Sequence, residues 1–175
     1  MKKSFILLIG FLFLGAILVA QTTFDTKAFG QKILDGKIKP TADKQTFQLI
    51  DSLFCKNENN RDFYLRVANK IALKSDGALS EYICQISNKF YFNNTTYFIT
   101  ASKSMSIENL SKWLKFVATD LYMNNRDGVK GLPKIRVEID KTAAKFLNIS
   151  YEQMSLRKKY NDFIYTLTEK LVKAD

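Results

Sequence analysis

The chain reads as a mostly all-α protein behind an export signal. Three observations say so: apolar residues recur at three- and four-residue spacing from Thr41 onward, capping residues punctuate that pattern, and only one short stretch alternates as a strand does. The expected architecture is an irregular helical bundle, or a short stack of helix pairs, with about five main helices. A short strand or extended segment is expected near 134–140.

The first residues, Met1-Lys2-Lys3-Ser4, are followed by an apolar run from Phe5 to Ala20. A basic start followed by an apolar stretch is what an export channel recognises. The run has 16 residues, short of the roughly 20 that a membrane-spanning helix needs, and it ends at a small residue. Cleavage is therefore expected after Ala20 or Gln21. Residues 1–21 are assigned as a signal peptide and 22–175 as a single helical domain, placed in the periplasm or outside the cell.

Thr41 is the expected cap of a first helix whose inward face is Phe47, Ile50, Leu53 and Phe54. A second, about Arg61 to Ser75, carries Phe63, Val67 and Ile71 flanked by Tyr64, Ala68 and Ala72, a wide stripe suited to a central helix. After the Asp76-Gly77 turn, Leu79, Tyr82, Ile83, Ile86 and Phe90 define a third. Ser106 starts a fourth with Ile107, Leu110, Leu114, Val117 and Leu121 facing inward. The last, about Tyr151 to Lys173, carries Leu156, Tyr160, Phe163, Leu167 and Leu171.

Two stretches break the helical spacing. Tyr91 to Ser104 crowds aromatic residues around Asn93 to Thr96 and reads as a short helix between longer ones. Asn124 to Asp140 contains Gly128, Gly131 and Pro133 before Ile135, Val137 and Ile139 alternate with charged residues, which argues for one strand or an extended segment. A strand needs a partner for its backbone, and Thr22 to Ile38 offers only a vague candidate.

Composition narrows the function. The chain has 27 basic and 17 acidic residues, and the signal holds two of the lysines and no acid, so the remainder carries +8. That charge draws anionic partners over long range. Nucleic acid is not expected, because the chain is exported and only five of its basic residues are Arg, the side chain best shaped for phosphate and base edges. The expected partner is another protein or an anionic envelope component. Membrane association is expected only peripherally, through the basic run Arg157-Lys158-Lys159, or through an uncleaved signal.

Histidine does not occur in the chain, which removes the commonest general base and the commonest transition-metal ligand. No catalytic residue, metal ligand or cofactor is assigned. A hydrolase would have to rely on carboxylates such as Asp120, Asp127, Glu138 and Asp140, or on Ser155 and Lys158 at Ser-x-x-Lys spacing. The two cysteines, Cys55 and Cys84, allow a single disulfide in an oxidising compartment. For binding, the signal is aromatic: Tyr91, Tyr97 and Phe98, with Trp113 and Phe116 on the flanks of the fourth helix, form an expected interaction patch together with Arg157, Lys158 and Lys159. The chain is thus expected to be an exported, non-catalytic macromolecule-binding protein, such as an envelope adaptor, an inhibitor or an immunity-type protein. A small exported hydrolase and a peripheral binder of anionic membrane are the alternatives.

Overall fold

The computed structural model describes residues 24–144 and 149–175, and of 142–144 the backbone alone. The signal assigned to 1–21 lies outside them. The described residues form eight α-helices and no strand. They are α1 (Thr26–Leu34), α2 (Lys44–Asp51), α3 (Glu58–Ala72), α4 (Gly77–Asn93), α5 (Thr95–Ser102), α6 (Ile107–Met123), α7 (Leu132–Ala144) and α8 (Tyr151–Ala174). Turns of 3-10 helix follow α2 at Ser52–Phe54 and precede α7 at Gly128–Gly131.

Local chemistry sets most of the helix starts. The side chains of Asp25, Asp43, Asn57 and Ser106 accept the first orphan N–H groups of α1, α2, α3 and α6. Ser150 and Gln153 close a reciprocal capping box on α8. Asp43 rather than Thr41 caps α2; the Thr41 hydroxyl donates to the Asp43 carboxylate instead. Tyr91 to Ser104 divides between the end of α4 and the short α5, and Thr22 to Ile38 contains α1 rather than a strand partner.

The expected strand is a helix, α7. Ile135, Val137 and Ile139 alternate as a strand does, but Ile135 and Ile139 are also four residues, one helical turn, apart, and both are buried with Leu132 while Val137 is 52% exposed. Pro133 falls in the first turn of α7, where a missing N–H costs nothing. A helix also closes its own backbone hydrogen bonds, so the segment needs no partner strand.

α6 is the centre of the packing, laid against α4 on one side and α8 on the other, with α3 also in contact. Rings knit its middle: Phe54 meets Phe90 at 5.8 Å, Phe90 meets Trp113 at 6.0 Å, Trp113 meets Phe98 at 5.9 Å, and Phe98 meets Tyr91 at 5.4 Å between centroids. α1 approaches α2 and α3 closely because Gly30 faces them; a Cβ there would stand 3.1 Å from Leu49 Cδ1 and from Phe63 Cε1.

Two helix faces differ from the expected ones. Ile107 is 88% exposed at the first turn of α6, while Leu114, Val117 and Leu121 point inward as expected. On α8 the buried stripe is Asn161, Ile164, Thr168 and Val172, so Phe163 is 40% exposed and Tyr160 and Leu167 flank the core. The two polar members of that stripe are engaged across the interior. Asn161 accepts from the Tyr91 hydroxyl at 2.7 Å and donates to the Ile139 carbonyl at 3.2 Å, and the Thr168 hydroxyl lies 3.3 Å from the Ala118 carbonyl and 2.9 Å from that of Ile164.

Candidate functional site

The aromatic patch expected from the sequence is interior. Trp113, Phe116, Tyr91 and Phe98 are all buried, and so present no face to a partner. They occupy the sides of α6, α4 and α5 that other helices cover, and a sequence stripe cannot show how many neighbours a helix has. Tyr97 is half-buried; the Arg61 guanidinium sits 4.9 Å from its ring centre and its hydroxyl donates to Asp62. Burial, reinforced by the Asp62 carboxylate, pushes that phenol upward, so it stays protonated.

The basic run on α8 is dispersed. Arg157 is half-buried, Lys158 pairs with Asp162 at 2.9 Å, and Lys159 is exposed. Asp162 also pairs with Arg136 of α7, whose guanidinium reaches Asp140 at 2.8 Å. Exposed pairs of this kind contribute about 0–1 kcal/mol each. Lys158 is thus turned to Asp162, and Ser155 lies exposed beside it without the closed environment a nucleophile needs. Of the carboxylates, Asp120 is buried and accepts from Asn88, Asp140 serves Arg136, and Asp127 and Glu138 line a separate cleft of about 460 Å³ with Arg126 and Lys134. No cluster of three or more His, Cys, Asp or Glu among the described residues is placed to hold a metal ion.

Cys55 and Cys84 are free thiols; the disulfide that the sequence allowed does not form. Cys84 points into the core from the middle of α4, whereas the Cys55 thiol, before α3, donates to the Asn57 carbonyl at 3.4 Å. Burial, with a smaller push from the charge of Asp120, raises the Cys84 thiol to about 11. Thiol reagents at pH 8 are expected to label Cys55 in the native fold and to reach Cys84 only on unfolding. The folded state keeps the Cys84 proton at a pH where the unfolded chain releases it. Stability therefore falls as pH rises from about 9 towards 11, with a limiting slope of about 1.4 kcal/mol per pH unit from this group. Urea unfolding at pH 8.5 and 10.5 checks this, since Cys84→Ala removes that part of the slope; identical slopes would refute it.

The surface feature that the sequence did not reveal is a groove of about 870 Å³ between α3 and the junction of α5 with α6. One wall is the outer face of α3: Asp62, Arg66, Asn69, Lys70 and Leu73 recur at three- and four-residue spacing, opposite the stripe that packs on α1 and α6, and Leu65 lies beside them. The other wall is Thr100 and Ala101 of α5, then Ser104, Met105, the cap Ser106, and Asn109 of α6. Leu34 of α1 completes it.

Three properties mark this groove. Asn69 is only 8% exposed, yet its amide oxygen has no donor, and the buried amide oxygen of Asn109 likewise has none. Both oxygens are enclosed by protein atoms, and a buried acceptor without a partner costs about 1–3 kcal/mol. Arg66 and Lys70 make no side-chain ion pair or hydrogen bond among the described residues, although acids abound elsewhere on the surface. The N-terminus of α6, whose backbone dipole favours negative charge, opens onto the same wall at Ser106. Apolar Leu65, Leu73, Leu34 and Met105 lie among these polar groups. The arrangement suits a ligand with a negative charge and an apolar part. No protein-family model, no curated protein and no solved structure matches the chain.

Proposed function

We propose that this chain is an exported, non-catalytic binding protein, acting in the periplasm or outside the cell, that engages a partner protein at the groove between α3 and the α5–α6 junction. The observation that carries the reading is that the groove brings Arg66 and Lys70, which make no side-chain ion pair or hydrogen bond among the described residues, beside apolar Leu73 and Met105. The unpartnered Arg66 and Lys70 and the excess of basic residues give the same face an attraction for acidic surfaces. Export rests on the basic and apolar pattern of residues 1–21. No helix among the described residues is long and apolar enough to cross a membrane.

Site-specific photocrosslinking in the native host tests this. A photoreactive p-benzoylphenylalanine replacing Leu73, at the groove, is expected to give a recurrent protein adduct. The same replacement at Val129, exposed and outside the groove, is expected to give none, and Arg66→Gln with Lys70→Gln is expected to remove the Leu73 adduct. Equal labelling from both positions, or a Leu73 adduct that survives Arg66→Gln with Lys70→Gln, would overturn the groove as the binding face.

A further inference from the structure

We infer that a hollow at the C-terminal end of α6 binds a primary ammonium group, whose N–H donors go to the carboxylate of Asp120 and the side-chain amide oxygens of Asn88 and Asn124. The site lies at the opposite end of α6 from the groove and does not rest on the binding function proposed there.

Asp120 occupies an unfavourable place in the fold. It is 6% exposed, and no ion pair reaches it among the described residues, although the chain has 27 basic residues. Burying a carboxylate without a countercharge is costly. Asp120 also stands in the last turn of α6, at the negative end of the helix dipole, and that turn holds no basic residue. Lys89, the one cation at the hollow, sits 5.2 Å from the centre of the Phe54 ring rather than against Asp120. A cation from outside offsets both costs.

The carboxylate is turned to where such a cation arrives. Gln85, Asn88 and Lys89 of α4, with Asp120 and Asn124 at the end of α6, line a hollow of about 330 Å³. One Asp120 carboxylate oxygen accepts from the Asn88 amide nitrogen. The other has no donor among the described residues and, unlike the amide oxygen of Asn69, is not sealed in by protein atoms. The Asn124 amide nitrogen donates to the Asp120 carbonyl at 2.9 Å. Both amides thus turn a nitrogen toward Asp120 and keep the oxygen as an acceptor, and neither oxygen has a partner among the described residues.

Three acceptor oxygens with one negative charge match an ammonium group, which brings three donors, no acceptor and one positive charge. A quaternary ammonium brings the charge without the donors. Calcium gathers about six to eight oxygens, several of them from carboxylates, whereas Asp120 is the only acid at the hollow. The adjoining cleft shares Asn88 and Asn124 and sets Arg126 and Lys134 against Asp127 and Glu138, so it adds no net charge and suits a polar, uncharged remainder of the ligand.

Titration of the 15N-labelled protein, purified from its host, tests the inference through the side-chain amide NMR signals of Asn88 and Asn124. The probes are ethanolamine, choline and N-acetylethanolamine, which share a hydroxyethyl body. The first carries charge and N–H donors, the second charge alone, and the third no charge. Ethanolamine is expected to shift both signals to saturation and to bind at least roughly tenfold more tightly than either analogue, the worth of a charge-assisted hydrogen bond. Asp120→Asn, nearly identical in shape, is expected to weaken ethanolamine binding by a similar factor with the helical circular dichroism unchanged. Should that variant fail to fold, Asn124→Ala at an exposed position is expected to weaken binding about threefold, the share of one neutral hydrogen bond. Vesicles distinguish the source of the amine: co-sedimentation with phosphatidylethanolamine but not phosphatidylcholine assigns a lipid headgroup, and ethanolamine binding without vesicle binding assigns a soluble amine. Equal binding of ethanolamine and choline, shifts that do not saturate, an affinity that neither variant changes, or saturation by calcium or magnesium in place of ethanolamine would overturn the inference.

Discussion

Trp113→Ala is expected to destabilise the fold by about 3–5 kcal/mol, the usual cost of truncating a large buried aromatic side chain. Trp113 is 1% exposed and stands on the central helix α6, with Phe90 and Phe98 both within 6.0 Å of its ring centre. Removing the indole opens a void where α4, α5 and α6 meet, and none of these elements can close it without drawing on the others. Trp113→Phe should cost far less. The indole N–H has no acceptor, so phenylalanine relieves a buried unsatisfied donor while keeping most of the ring contact. Urea unfolding followed by circular dichroism measures both, and a loss below about 1 kcal/mol for the alanine variant would show that Trp113 is not the core residue its burial indicates. The same variant separates core from interface: an exposed anchor would lose binding with little change in stability.

Asn161→Ala is expected to cost about 2–4 kcal/mol, from a void plus a stranded hydroxyl. Asn161 is the point at which α8 is tied to both α4 and α7, through the Tyr91 hydroxyl and the Ile139 carbonyl. Its loss leaves the Tyr91 phenol in the interior without the acceptor that now satisfies it. Burial already pushes that phenol upward, so it cannot escape by ionising. Combining Asn161→Leu with Tyr91→Phe removes both polar partners and fills the space, so the double variant should be more stable than Asn161→Ala alone. If it is less stable, leucine and phenylalanine do not fit that space, and a stranded Tyr91 hydroxyl is not what makes Asn161→Ala costly.

Neither side chain could be given its place from its own neighbourhood in the chain. Trp113 lies one residue before Leu114 and reads as the flank of a stripe, which is open to solvent in a helix with one neighbour and buried in a helix with several. Contact with α3, α4 and α8 decides that for α6. Asn161 and Thr168 read as polar positions on α8, so the sequence pattern favours a face one position away, through Tyr160, Phe163 and Leu167. The actual face is chosen by hydrogen bonds to residues 50 to 70 positions distant, as in Thr168 to Ala118 and Tyr91 to Asn161.

By itself the sequence determined what depends on a few adjacent residues. Caps such as Ser106 and the run of three- and four-residue spacing specify all-α structure, because hydrogen bonds within a helix span only four residues. The pattern of α7 was ambiguous because Ile135 and Ile139 satisfy a period of two as well as a period near four, and a possible pairing for Cys55 and Cys84 is equally blind to distance. Only the tertiary structure decided which faces are buried, that the two thiols stay apart, and that the outer face of α3 meets the α5–α6 junction. The groove follows from that last placement. Asn69 and Asn109 stand 40 positions apart in the chain, and each is unremarkable on a polar helix face until packing removes water from both and supplies no donor to either.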